Sequence, residues 1–174
     1  MFFSRITVLI YAIVFLWTPM IIADTEDVQQ PITIEADQAV LDENKQTSIY
    51  TGHVILKQGG IEVKADTVIV HTNDGQLRRV IVEGSPVNYR QQQQGEEDIR
   101  GNSERMEYDT ESKRIVLLGG AELWQGGNRF SGKRIQYDTE HEKVIANGNV
   151  SSKENAVQQV EITLQPKSLQ KQNP

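Results

Sequence analysis

The chain has 174 residues, a formal net charge of −6 at pH 7 and no cysteine. An acidic chain repels nucleic-acid phosphates, and no Lys/Arg cluster falls on a recognisable binding motif, so we expect no nucleic acid as a partner. The lack of cysteine excludes thiol catalysis and cysteine-ligated metal, so the core and the strand ladders alone must hold the fold.

The N-terminal segment has the layout of a secretory signal peptide. Arg5 precedes an uncharged run over residues 6–23, and the charged residue Asp24 follows it. Pro19 and the small residue Ala23 favour cleavage after Ala23, although the run approaches spanning length and an uncleaved membrane anchor is the alternative. We therefore predict a signal peptide over residues 1–23, a single domain over 24–164 and a flexible polar tail over 165–174.

The rest of the chain repeats one pattern four times. In each segment a strand-like run leads to a polar turn, and a second apolar run then reaches a glycine. The segments begin at Ile34, Ile61, Ile99 and Phe130, and the corresponding glycines are Gly52, Gly84, Gly119 and Gly148. The pattern predicts a repeated strand-turn-strand unit.

Turn chemistry and side-chain alternation both indicate β-hairpins. Asp74-Gly75 is the strongest hairpin signal, because a type I′ turn needs positive φ at both central positions. Gly59-Gly60 and Gly126-Gly127 mark further reversals. Between turns, stretches such as IEVKAD over residues 61–66 alternate apolar and polar residues, so each strand has one dry face. We predict an all-β protein.

Single hairpins with one dry face are marginal in water, so these hairpins must stack. A closed barrel and two facing antiparallel sheets are both possible, and the near-equal repeats favour an open stack with a free strand at each end. The inward candidates are Val, Ile, Leu and Ala, together with Trp124, Phe130 and a few tyrosines. They would form either a slot for fatty acyl chains or an ordinary aliphatic core, and periodicity does not separate the two.

No pattern indicates catalysis. His53, His71 and His141 lack the spacing of a metal site, and no nucleophile elbow, P-loop or G-x-G-x-x-G motif occurs. The repeated Tyr-Asp-Thr-Glu segments coincide with turns, where Asp is explained by backbone hydrogen bonding. We therefore expect no enzyme activity, no metal and no cofactor.

Three stretches together resemble the LptA (OstA-type) periplasmic lipopolysaccharide-transport proteins. They are QPITIEAD at residues 30–37, YTGHVILKQG at 50–59 and IEVKADTVIV at 61–70. The likeness extends over roughly residues 30–164 and includes the segments around Met106 and Val116. It implies a twisted antiparallel β-jelly-roll, V-shaped in cross-section and open at both ends, whose apolar groove takes lipopolysaccharide acyl chains.

The resemblance also implies partners and lipid-contacting residues. Members pair head to tail and bridge inner-membrane LptC, with its transporter complex, to the N-terminal domain of outer-membrane LptD. The family's lipid-contacting isoleucines match Ile32 and Ile34, and a family aromatic corresponds to Tyr89, whereas the glutamine-rich segment after Tyr89 departs from the family. The predicted lipid-contacting residues are Ile32, Ile34, Val54, Leu56, Val63, Tyr89, Leu117, Leu123, Phe130 and Ile135.

Two other functions fit the same residues. One is an LptC-like subunit of the same pathway that keeps its N-terminal span in the membrane. The other is a structural β-adaptor with a filled core that binds only through its strand edges.

Overall fold

A computed structural model of the protein describes residues 30–92, 98–148 and 159–165. The predicted signal peptide, the tail beyond Gln165 and residues 93–97 of the polar loop lie outside the described residues. No helix that could span a bilayer occurs in the described ranges. Their strands are β1 Thr33–Glu35, β2 Gln38–Asp42, β3 Thr47–Gln58, β4 Ile61–Asn73, β5 Gln76–Gln91, β6 Ile99–Asp109, β7 Arg114–Gln125, β8 Asn128–Asp138, β9 Lys143–Asn147 and β10 Glu161–Thr163.

All the strands belong to one antiparallel sheet. Its order is β1-β3-β4-β5-β6-β7-β8-β10, and β2 also pairs with β3 while β9 also pairs with β8. The pair β1 and β2 therefore forms one edge, and the pair β9 and β10 forms the other. The two edges do not pair with each other. These pairings confirm the predicted all-β antiparallel fold, open at both ends.

The predicted turns connect these strands. Asp74 and Gly75 have φ values of 51° and 77° and join β4 to β5, as the type I′ prediction requires. Gly59-Gly60 joins β3 to β4, and Gly126-Gly127 joins β7 to β8. The hairpin signals in the sequence thus placed these connections correctly.

A line of register shifts crosses the sheet and divides every long strand in two. The shifts on this line fall after Thr51, Lys64, Glu83, Asn102 and Leu118, and a separate shift after His71 lies near the turn between β4 and β5. Extra residues at such shifts bend a strand sharply. Each long strand therefore contributes one half to each of two arms of the sheet. The first arm comprises residues 38–51, 67–83, 105–118 and 134–147. The second arm comprises residues 33–35, 54–65, 87–103, 121–132 and 161–163.

Three of the four repeated glycines, Gly52, Gly84 and Gly119, lie at these bends inside strands, whereas Gly148 directly follows the last residue of β9. Gly52 has φ +81° and a Cβ there would meet the Asp37 side chain at 2.8 Å. Gly119 has φ +76° and a Cβ there would meet the Glu104 side chain at 2.8 Å. Glycine is needed at both positions, because an L side chain would be strained and would also clash.

The two arms face each other across a common core. Leu117 belongs to the first arm and Gly101 to the second, yet Cδ1 of Leu117 lies 3.0 Å from the Cβ position of Gly101. One core cluster takes buried side chains from both arms. Because the described residues contain no helix or second sheet to cover these side chains, each arm is covered by the other.

Candidate functional site

The inner face of the second arm carries one apolar row that crosses every strand of the arm. The paired positions run from β1 at one edge to β10 at the other, so neighbours in the row sit on adjacent strands. The row is Ile34, Leu56, Val63, Tyr89, Gly101, Leu123, Phe130 and Ile162. Six of the ten predicted residues lie in it.

A matching row crosses the inner face of the first arm. It runs without interruption from β2 to β9 and consists of Ala39, Tyr50, Val68, Val82, Met106, Leu117, Ile135 and Ala146. The predicted residues Leu117 and Ile135 lie in this row and face the second arm. The arrangement is a sandwich of two apolar rows that extend from edge to edge.

The remaining two predicted residues occupy different environments. Val54 is 1% exposed and belongs to the core, beside the bend of β3. Ile32 precedes β1 and is 37% exposed, so it lies at the edge of the interior. Thus the structure brings nine predicted residues together and leaves Ile32 at the rim; their contact with lipid stays a prediction.

Trp124 does not face the interior, and the expectation for it is wrong. It follows the buried residue Leu123, and alternation along β7 turns it to the outer face. The guanidinium groups of Arg100 and Arg129 each lie 6.0 Å from the centre of its ring. A cation-π sandwich on the outer surface therefore accommodates this large aromatic side chain.

Sequence reasoning missed the first-arm residues Val68, Val82 and Met106, all less than 5% exposed. Period-two alternation could have indicated Val68 and Val82. Val68 is followed by the apolar residues Ile69 and Val70, however, so both faces of β4 look apolar in sequence. Only the strand register assigns the inward face.

The interior is dry and filled at its centre. The core side chains that the structure describes in both arms are 0–6% exposed, so these side chains leave no open channel between them. Ser103 is the buried polar residue of the described ranges, and its hydroxyl donates a hydrogen bond to the carbonyl oxygen of Arg105 at 2.9 Å. No buried side-chain nitrogen or oxygen in those ranges lacks a hydrogen-bond partner, so the interior offers no polar group to a ligand.

Two inward tyrosines place phenol groups in the interior. The hydroxyl of Tyr89 donates to Oε1 of Gln91 at 2.8 Å, which satisfies the phenol within the apolar row. Burial raises the pKa of Tyr137 to about 12, and the negative charges of Glu142 and Asp138 act in the same direction. The phenol of Tyr137 therefore remains neutral at physiological pH.

Ionised side chains lie on the outer faces and pair there. Glu107 contacts both Arg79 and Arg105. Burial opposes ionisation of Glu107, but the hydrogen bonds from these two guanidinium groups prevail and lower its pKa. This cluster is satisfied in place, and its charges lie away from the interior.

The apolar interior reaches solvent at both edges of the sheet. At the edge formed by β1 and β2, Leu41 is 67% exposed and Ile32 is 37% exposed. At the opposite edge, Ile162 is 51% exposed and Leu164 is 67% exposed. Exposed apolar groups beside unpaired strands favour pairing with another chain or another apolar ligand.

Known proteins are similar to this chain in both sequence and architecture. The sequence profile of the family described as "LptA/(LptD N-terminal domain) LPS transport protein" matches residues 33–143. The lipopolysaccharide export system protein LptA of Escherichia coli K12 is 35% identical over 105 residues, which span 59% of this chain and 57% of that protein. The LptA of Haemophilus influenzae is 30% identical over 135 residues, 76% of this chain and 78% of that protein.

A solved structure agrees with the fold. The crystal structure of LptH, the LptA homologous periplasmic component of the lipopolysaccharide transport device of Pseudomonas aeruginosa, superposes with a TM-score of 0.73 at 28% identity. The superposition covers 82% of this chain and 100% of that one. With the profile matching most of the sheet, the chain belongs to the LptA/(LptD N-terminal domain) LPS transport protein family.

Proposed function

We propose that this chain carries lipopolysaccharide across the periplasm, with the acyl chains held between its two arms. The observation that carries the proposal is the pair of apolar rows, which run unbroken from one free edge of the sheet to the other. An interior of this kind holds hydrocarbon and excludes the charged sugar end, which stays outside.

The chemistry requires no covalent step. Burying one CH₂ group lowers the free energy by ~0.8 kcal/mol, so exposing a twelve-carbon acyl chain to water would cost about 10 kcal/mol of free energy. A continuous apolar interior keeps the transfer nearly isoenergetic, and the direction then comes from an external energy source. The family is one of transport proteins, which agrees with the expectation that the chain is not an enzyme.

Head-to-tail self-association is part of the proposal, and the strand directions support it. β3 and β8 are five antiparallel steps apart, so they run in opposite directions. Because β2 is antiparallel to β3 and β9 to β8, β2 and β9 are also opposed. A second copy translated beyond the edge would place its β2 antiparallel to β9 and its β1 antiparallel to β10, which continues both apolar rows.

The same two edges would also bind the other protein partners. We propose that one edge meets the N-terminal domain of LptD, whose family profile this chain matches, and that the other meets LptC of the inner-membrane transporter complex. The chain would then bridge the two membranes. Export through a cleaved signal peptide at residues 1–23 completes this proposal, and mass spectrometry of the exported protein tests it: retention of residues 1–23 would favour the membrane-anchored, LptC-like alternative.

Site-specific photo-crosslinking in cells tests the lipid-binding proposal. Leu56 is 6% exposed and lies in the inner row of the second arm, whereas its neighbour Ile55 faces outward beside Lys64. A photo-reactive residue at position 56 should form a lipopolysaccharide adduct, and the same residue at position 55 should form far less. Equal yields at both positions, or no adduct at either, would count against an interior site.

A second candidate is the structural β-adaptor, which the filled centre of the core favours. Val68, Val82 and Ile135 are each 0% exposed, as in an ordinary sandwich core. Under this alternative the delipidated protein forms filaments through its edges but takes up no lipopolysaccharide. Saturable uptake by delipidated protein excludes it.

A further inference from the structure

Gly101 is an exception within the second-arm row. Its neighbours on the adjacent strands are Tyr89 and Leu123, and every other position of the row carries a large apolar side chain. The φ angle of Gly101 is not positive, unlike those of Gly52 and Gly119. Backbone conformation therefore does not require glycine at this position. Glycine is required here because a side chain would have no space.

Leu117 of the opposite arm occupies that space. Its Cδ1 lies 3.0 Å from the Cβ position of Gly101, and Cδ1 of Leu123 lies 3.6 Å from the same point. Leu117 is 1% exposed and so is Leu123. The missing side chain at position 101 thus forms a notch that receives Leu117 and lets the arms close on each other.

The contact lies in the path between the two edges. Gly101 is on β6 and Leu117 on β7, in the interior of a sheet whose order runs from β1 to β10. An acyl chain that moves along the apolar rows has to pass this point. With Leu117 seated in the notch, no room for a hydrocarbon chain remains there.

We propose that Leu117 and Gly101 form a closing contact that controls entry of acyl chains into the interior. This inference rests on the proposed function. In the lipid-free protein Leu117 fills the notch and the arms are shut. When lipid binds, Leu117 leaves the notch, the arms part, and the hydrocarbon takes the place of the leucine against Tyr89 and Leu123.

The substitution Gly101→Ala tests the contact with one methyl group. The added Cβ would lie 3.0 Å from Cδ1 of Leu117, so it crowds the closed state and leaves the open state unaffected. Destabilising the closed state raises the population that is competent to bind. We expect the delipidated variant of the mature chain to bind lipopolysaccharide about fivefold more tightly than the wild type, which corresponds to roughly 1 kcal/mol.

Gly75→Ala is the matched control. Gly75 has φ +77° and nothing lies within 4 Å of its Cβ position, so alanine adds backbone strain in a turn remote from the interior. Both variants should be less stable to urea than the wild type, but only Gly101→Ala should bind more tightly. If Gly101→Ala loses stability and binds no better than Gly75→Ala, Leu117 is merely packed in the core and the inference is overturned.

A second measurement needs no lipopolysaccharide and separates this inference from the proposed function. The chain has no cysteine, so Met106→Cys, at the position paired with Leu117, introduces a single buried thiol whose alkylation reports opening of the arms while Leu117 stays in place. Adding Gly101→Ala should accelerate alkylation about fivefold, and Gly75→Ala should not. Unchanged alkylation overturns the closing contact even if the wild type binds lipid. A wild type that binds no lipid, but whose thiol reacts faster with Gly101→Ala, refutes the proposed function and its acyl-chain role while leaving the contact between the arms intact.

Discussion

Oδ2 of Asp37 lies 2.8 Å from Nδ1 of His53, and this contact joins the start of β2 to the bend of β3. The backbone N–H of Asp37 also donates to the carbonyl oxygen of Gly52 at 3.0 Å. Asp37 separates β1 from β2, and both of these strands pair with β3. The contact therefore ties the whole edge that we propose for partner binding to the rest of the sheet.

The titration of His53 should report this contact. The hydrogen bond with Asp37 and, secondly, the charge of Asp37 raise the pKa of His53 above 6.5. A raised pKa in the folded state means that the contact stabilises the fold fully below about pH 6.5 and that this contribution is lost as pH rises through the higher value. NMR of the imidazole should give a midpoint above 6.5 in the wild type.

Two variants make this prediction specific. Asp37→Asn should return the His53 midpoint towards 6.5, whereas Asp42→Asn should not, because Asp42 contacts Lys45 instead. A midpoint that is the same in the wild type and in Asp37→Asn would show that the contact is absent in solution.

Of the two glycines at the bend of β7, Gly119 should matter more to stability than Gly120. Alanine at position 119 meets both a left-handed backbone, φ +76°, and the Cβ of Glu104 at 2.9 Å. At position 120 the backbone φ is +51°, and the Cβ of alanine would have no atom within 4 Å. We expect Gly119→Ala to lower the free energy of unfolding by about 2–3 kcal/mol and Gly120→Ala by about 1 kcal/mol, measured by urea denaturation. Equal losses would mean that the Glu104 contact contributes nothing.

Most of the fold could be predicted from the sequence because its signals are local. The Asp74-Gly75 turn and the period-two stretches define hairpins without knowledge of distant residues. The family resemblance drawn from residues 30–70 is likewise confirmed, since the family profile matches residues 33–143. The bends were not predicted, because the glycines at 52 and 119 could equally have ended strands.

The candidate site was harder to predict because it depends on which residues meet across the interior. Val40, Ile49, Ile69 and Ile81 share one row on the outer face of the first arm, so apolar character alone does not mark the inside. The notch at Gly101 exists only because Leu117 of the other arm fills it. Such contacts join residues from opposite arms, and no local pattern encodes them.

Self-association should depend on apolar residues at the sheet edges. Ile162 lies on β10 and is 51% exposed, and its partner Phe130 continues the inner row. Ile162→Asp places a charge where the next copy would extend that row, so we expect the filaments or oligomers seen by sedimentation to shorten strongly. Ile69→Asp is the control, because Ile69 lies on the outer face of β4, which is paired on both sides with β3 and β5 and belongs to neither edge. Equal effects of the two variants would contradict edge-to-edge pairing.

Tryptophan fluorescence should distinguish binding inside the sandwich from binding on its outer surface. The chain has two tryptophans, Trp17 and Trp124, and cleavage after Ala23 would leave Trp124 alone. Because Trp124 lies outside, between Arg100 and Arg129, acrylamide should quench it equally well with and without lipopolysaccharide. Leu123→Trp in a Trp124→Phe background moves the probe to the adjacent inward position, where lipid should change both emission and quenching. If lipopolysaccharide instead shields Trp124 itself, the lipid binds the outer face, and the apolar rows are not its site.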